Sequence, residues 1–476
     1  MSPQTFTVLL LTGYALLVYV LSLKGMRQTQ SKTAFAIGNK DMSPWLVGIT
    51  LSASISSSAT FVINPGFVYV HGLSAYLHFG VAGALGIAIG LIVLSKRFLS
   101  IGEAQGSVTI PQWIKHRYDS PKLGVFFACL NLLSLTFVVL ILVGCSILLS
   151  GLLGIDQKQA LVAVLLFVFS YVLMGGTYAH AYTNALQGLL MLFVSVGLFV
   201  HGWHYFDGQP LAALESVGSD YAAVFNPSSN LYFSMFSVFT SGFIITFALM
   251  LQPHILTKVL YLKDERDTRI FLITAIGSGT LFMLILFVGF YAKLAGYDIE
   301  AQDAVVTQYL LEETSHSAAG QYVRAFIFVA LLAAGMSTLD GILVALSAMI
   351  VTDVLEPAGL NAERGLQVAR WVLVVIGLIA LALAWNPPPI VGLFAQKGVY
   401  GLAAASFVPI VFAAFFKTRL SPLNIGLAAF VGLGTHLSLN MLLGVANPSI
   451  SATYGIFAAS AVGVLGLLTK GLRKEA

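Results

Sequence analysis

Apolar residues along this chain gather into thirteen long runs separated by short polar links. The runs cover roughly 5–23, 44–71, 75–94, 123–150, 159–177, 182–206, 231–260, 268–294, 321–350, 366–385, 389–416, 422–445 and 452–470. About 20 mostly apolar residues form a helix that crosses the ~30 Å hydrocarbon core of a bilayer. Each run therefore predicts one membrane span, and the fold class is an all-α integral membrane protein with thirteen transmembrane helices. The first run lacks a basic leader and a cleavage site, so it reads as a retained helix and not as a signal peptide.

Two of the runs differ from the rest. The second carries Ser52, Ser54, Ser56, Ser57, Ser58 and Thr60 before Asn64-Pro65-Gly66, and the seventh carries Thr240-Ser241-Gly242 before Gln252-Pro253-His254. Each is a long apolar segment interrupted by small polar residues and closed by a proline. Paired interrupted helices in corresponding halves of a chain point to a transporter's midplane site. Runs two to six and seven to eleven then form two five-helix inverted repeats. The division is residues 1–43 (an extra helix and inner loop), 44–206 (first repeat), 231–416 (second repeat) and 417–476 (two accessory helices). A single serine in a membrane helix more commonly bonds its own helix or marks close packing. Six hydroxyls within nine residues favour a binding segment.

Composition narrows the class. Of 476 residues, 58% are apolar and 9% charged, against roughly 25% charged in soluble domains. A water-soluble protein is excluded. The small basic excess, 24 Lys and Arg against 20 Asp and Glu, gives no reason to expect a nucleic-acid partner. Cys129 and Cys145 share one run and would lie ~24 Å apart along a helix, too far to pair. Position along the chain is more telling than total charge. With the N-terminus outside and the C-terminus inside, twenty of the 24 basic residues fall on the inner side, in agreement with the positive-inside rule. They include Lys24, Arg27, Lys32, Lys96, Lys258 and Arg266 and the tail residues Lys470, Arg473 and Lys474. The tail is short, so no soluble domain is expected after the last span. No phosphate-binding loop, zinc-type His/Glu pair or dinucleotide fingerprint is present, which argues against ATP-driven transport, enzymatic activity and an organic cofactor.

Several fragments spread over the chain carry a resemblance: "FAIGNKDMSPWLVGITLSAS", "NPGFVYVHGLSA", "GGTYAHAYTNALQG", "LQPHILTKVLYLKD" and "LAAGMSTLDGILVALSAMIVTDVL". Together they resemble the sodium/solute symporter family, which includes bacterial proline and pantothenate symporters. The resemblance implies the LeuT-like inverted-repeat fold and uptake of a small organic solute driven by sodium entry. It implies a monomer in the plasma (inner) membrane, with sodium as the coupling ion. Carried over by position, the family's main sodium site falls on the backbone carbonyls of Ala53, Ser56 and Ala334 and the hydroxyls of Ser337 and Thr338. Neutral oxygens suit a hard cation, and Ala334, Ser337 and Thr338 share one helical face.

The chain departs from the family at two positions. Asn184 stands where relatives place an aspartate, and Asp340 stands where they place a serine of a second sodium site. Two readings are open: a second cation or proton site survives at Asn184 and Asp340, or it is lost and Asp340 pairs with a basic residue. Lys397, ~12 Å into the eleventh run by helical rise, is the expected partner, or else a counter-charge for a solute carboxylate. Ser57, Thr60 and His78 complete the expected solute contacts, His78 reading equally well as a core histidine. His180 is expected at the membrane surface in the link between runs five and six, Gly175-Gly176 as a tight turn, and Gln252 and His254 as caps on the broken seventh helix. A proton-coupled transporter of the same fold, a membrane sensor and a passive channel are the competing classes.

Overall fold

The computed structural model describes the backbone of residues 1–315 and 317–475, and their side chains apart from residues 32–33, 100–105, 175, 265, 318, 362 and 471–475. The side chains of Lys32, Arg473 and Lys474, counted in the charge bias, thus lie outside the described residues. Eleven of the described helices are long and apolar enough to cross a membrane, and thirteen spans result if each of two bent pairs is one span. In chain order they are α1 (Pro3–Gln28), the pair α2a and α2b (Pro44–Ile55 and Ala59–His71), α3 (Leu73–Leu99), α4 (Pro121–Leu153), α5 (Gln157–Met174) and α6 (Gly176–Phe206). The second half has the pair α7a and α7b (Phe236–Leu249 and Pro253–Tyr261), α8 (Thr268–Leu294), α9 (Ala319–Leu355), α10 (Gly365–Ala384) and α11 (Val391–Phe415). It ends with α12 (Pro422–Leu442) and α13 (Pro448–Lys470).

Local chemistry sets many of the starts. Ser-Pro opens α1, α2a, α4 and α12, because proline at the first helical position lacks only an N–H that has no helical partner anyway. In three of the four the serine hydroxyl also accepts from a backbone N–H of the first turn: Ser2 from Thr5, Ser120 from Leu123 and Ser421 from Asn424. The start of α11 is held from outside the helix, where the Val391 N–H donates to Asp303 Oδ2 (2.9 Å). Burial pushes the Asp303 carboxyl above its ordinary range, and that bond opposes the shift.

The first polar break falls within the serine cluster and the second at the proline. The first broken helix bends by 52° at Ser56–Ser58, and Pro65 lies in the middle of α2b and does not close it. The second bends by 65° next to Pro253, while Thr240, Ser241 and Gly242 stay helical. Gln252 is extended (φ −66°, ψ 144°), as proline demands of the residue before it. The expected tight turn between α5 and α6 is a sharp kink at Gly176 (φ 50°, ψ −134°). A Cβ there would lie 2.4 Å from the Phe35 ring, so both the backbone and the packing require glycine.

The core is built around α9, which is buried over its whole apolar window and packs against α1, α2a, α4, α6 and α10. At the edge, α12 and α13 pack on each other and on α11.

Candidate functional site

Where α2a ends, its last carbonyls lose their helical partners. Ser56 leaves the helix (φ −89°, ψ 76°), and the Ser57 hydroxyl turns back to accept from Ala59 N (3.0 Å), capping α2b. Two of the freed carbonyls face α9. The Ser337 hydroxyl lies 2.9 Å from Ala53 O and 2.6 Å from Ala334 O, and the Thr338 hydroxyl donates to Ser54 O (2.9 Å). Four of the five expected sodium ligands, Ala53, Ala334, Ser337 and Thr338, thus meet at the α2–α9 contact, with Ser54 O added. The hydroxyls of Ser56 and Ser58 are buried and have no hydrogen-bond partner among the described residues. The donor set is neutral, oxygen-only and partly unsatisfied, which fits a monovalent hard cation.

Next to this contact opens a cavity of about 110 Å³. Ile55, Ala59, Thr60 and Asn64 line it from the break of α2, and Thr246, Gln252 and His254 from the break of α7. Gln396 and Tyr400 of α11 face them. None of the described lining residues is Asp, Glu, Lys or Arg. Gln252 Oε1 and His254 Nε2 are buried without a partner among the described residues, so they do not cap the helix break as expected. They point chemically toward a solute that supplies the missing donor and acceptor.

Of the expected solute contacts, Thr60 lines this cavity and Ser57, His78 and Lys397 do not. Ser57 is taken up by its cap. His78 is a buried core histidine: Nδ1 donates to the carbonyls of Ser237 (2.9 Å) and Val238 (3.1 Å) at the start of α7a, and Nε2 lies 3.4 Å from Ser449 Oγ. Lys397 is exposed on the outer face of α11, one residue past Gln396, and is no partner of Asp340.

Asp340 has other partners. It is fully buried, its Oδ1 accepts from His180 Nδ1 (2.7 Å) and its Oδ2 from the Tyr171 hydroxyl (3.1 Å). His180 Nε2 in turn meets Lys258 Nζ. His180 and Lys258 are 2% and 1% exposed, so both are buried inside the protein and not in a solvated link or loop. They border a second, smaller cavity of about 20 Å³, and His254 lines both cavities. Asn184 is not beside the Asp340 carboxylate: its amide N–H groups donate to Ser337 O (2.7 Å) and Ser54 Oγ (2.9 Å). The one signal in the sequence that pointed to the His180 network was Asp340 itself, a carboxylate within a span that needs a basic partner.

The model of the family described as "Sodium:solute symporter family" matches residues 35–422. The sodium/pantothenate symporter of Haemophilus influenzae is 24% identical over 445 residues, covering 90% of this chain and 88% of that protein. The sodium/proline symporter of Staphylococcus aureus (strain Newman) is 25% identical over 437 residues, covering 86% and 81%. Among solved structures, a substrate-bound, outward-open Na+-coupled sialic acid symporter superposes with a TM-score of 0.79 at 17% identity, over 97% of this chain and 96% of that one. A nucleobase-cation-symport-1 family transporter in a closed conformation superposes at 0.59 and 13% identity, over 91% and 93%. These likenesses give the chain the LeuT-type transporter fold.

Proposed function

Because the chain belongs to the sodium:solute symporter family, a family of transporters and not of enzymes, we propose that it imports a small polar organic solute together with sodium by alternating access. Sodium binds between the end of α2a and α9, on Ala53, Ser56, Ala334, Ser337 and Thr338. The solute binds in the adjoining cavity, on Thr60, Asn64, Gln252, His254, Gln396 and Tyr400. The observation that carries this reading is the α2 break, whose Ile55 and Ala59 line the solute cavity while Ala53 O contacts Ser337. One short segment thereby couples ion and solute, since filling either site stiffens the break that the other uses.

The absence of charged residues from the described cavity lining selects a solute that is neutral or zwitterionic, or one whose carboxylate meets amides, hydroxyls and the nearby sodium. The names of the relatives, which specify pantothenate, proline and sialic acid, support a carboxylate-bearing solute of that size. The protein works in this reading as a monomer in the plasma membrane, inner in a double-membraned cell, with its N-terminus outside. Residues 44–206 and 231–416 act as the two inverted repeats.

The test is counterflow of labelled proline, pantothenate and sialic acid in vesicles holding the purified protein, with sodium or with choline. Sodium-dependent counterflow of one of them is expected. Equal exchange in choline would reject sodium coupling. Cysteine labelling should reach position 220 from outside and position 266 only from inside; the reverse pattern would reject the orientation.

A further inference from the structure

Asp340, His180 and Lys258 come from three different spans, and all three are buried. Tyr171 of α5 and His180 of α6 take both oxygens of Asp340 on α9. Lys258 of α7b closes the chain at His180 Nε2. Gly341 makes room for the ring, since a Cβ there would lie 2.7 Å from His180 Cε1. Whether the proton rests on Nζ or on the imidazole, the three groups carry one negative and one positive charge. The carboxylate is thus neutralised from within the chain, as a buried charge requires.

A second coupling ion at Asn184 and Asp340 does not fit this arrangement. Both carboxylate oxygens are engaged, and Asn184 turns amide hydrogens toward Ser337 O, which as a carbonyl can only accept. A cation at Asp340 would have to displace the donors that hold both its oxygens, although Asn184 Oδ1 is buried without a partner among the described residues. At the α2–α9 contact the carbonyls of Ala53, Ser54 and Ala334 converge with the Ser337 and Thr338 hydroxyls, and the Asn184 amide nitrogen borders them.

We propose that Lys258 is a tethered cation which, through His180, takes the place of a second sodium at Asp340, so that one sodium is bound per transport cycle. This rests on the sodium-coupled reading above. A tethered charge never leaves for the other side of the membrane, so it draws nothing from the ion gradient. It holds α7b to α6 and α9, and only the ion at α2–α9 supplies driving force.

The test is the number of sodium ions bound by the purified full-length protein, counted with radioactive sodium in detergent. The wild type should bind one ion per chain, and the Ser337→Ala/Thr338→Ala variant none. Lys258→Met leaves Asp340 uncompensated and should bind a second ion, and Lys258→Met/Asp340→Asn should return to one. Two ions on the wild type, or a folded Lys258→Met protein that still binds one, would overturn the proposal. If Lys258→Met is too unstable to titrate, thermal unfolding decides: the double variant should recover most of the lost midpoint, and a double variant as unstable as the single one overturns it. A wild type that binds no sodium overturns the sodium-coupled reading as well, a result distinct from two ions, which overturns the tethered cation alone.

Discussion

The two broken helices occupy corresponding places in the two halves of the chain, yet different chemistry breaks them. In α2 the backbone opens at Ser56–Ser58 without help from a proline, and it presents to α9 a set of neutral oxygens, Ala53 O and Ser54 O. In α7 the break is made by Pro253, and the segment beyond it presents side chains: His254 with Nε2 unpartnered and Lys258 bound to His180. A hydroxyl-rich break frees carbonyls that a mobile cation can use and leave. A proline break redirects the chain, and here it swings an ammonium into the protein. The comparison assigns the exchangeable ion to α2 and the fixed charge to α7.

The strongest way to break this division is to remove a charge on the α7 side. Asp340→Ala leaves the Lys258 ammonium buried without its carboxylate, and a buried pair broken on one side costs about 3–5 kcal/mol. Chemical or thermal unfolding in detergent should show that loss in the absence of any solute; a wild-type midpoint would dissolve the network. On the α2 side the effect should be smaller and specific to the ion. Thr338→Ala should raise the sodium concentration for half-maximal transport about tenfold, ~1.4 kcal/mol, and an unchanged sodium dependence would remove the residue from the site.

Gln396→Ala tests the cavity that both breaks share. Losing one hydrogen bond of about 1 kcal/mol should weaken the solute roughly fivefold with sodium affinity nearly intact. A shift in sodium affinity alone would separate the cavity from the solute. The smallest effect is expected at Lys397, exposed on α11. Lys397→Met should change stability by no more than about 0.5 kcal/mol, and a large loss of transport would restore it to the solute site.

Lys397 and Lys258 also show how far residue counting goes. Helical rise placed Lys397 deep in the membrane, but depth says nothing about which side of the helix a residue occupies, and Gln396 next to it is the one that faces the cavity. Lys258, near the end of its apolar run, read as a basic flank in an inner loop. The 65° bend at Pro253 instead turns the segment that carries it into the protein interior. His180 was misplaced for a related reason: a link was expected between α5 and α6, whereas the kink at Gly176 puts His180 in the first turns of α6 and against Gly341.

By itself the sequence determined the approximate positions of the helices, the existence of two broken spans and the shared face of Ala334, Ser337 and Thr338; that this face meets α2a came from the family resemblance. These are properties of contiguous residues: the length of an apolar run, a cluster of hydroxyls, a proline, an i, i+3, i+4 face. Only the tertiary structure decided the angles at which the two breaks bend, and that Asp340 pairs with His180 and Lys258 and not with Lys397. Those outcomes depend on groups 160 residues apart, as His180 and Asp340 are, and on the angle at which each broken helix resumes. The neutralisation of a buried charge is a property of the assembled interior, where the carboxylate takes the cation that packing brings within hydrogen-bonding distance.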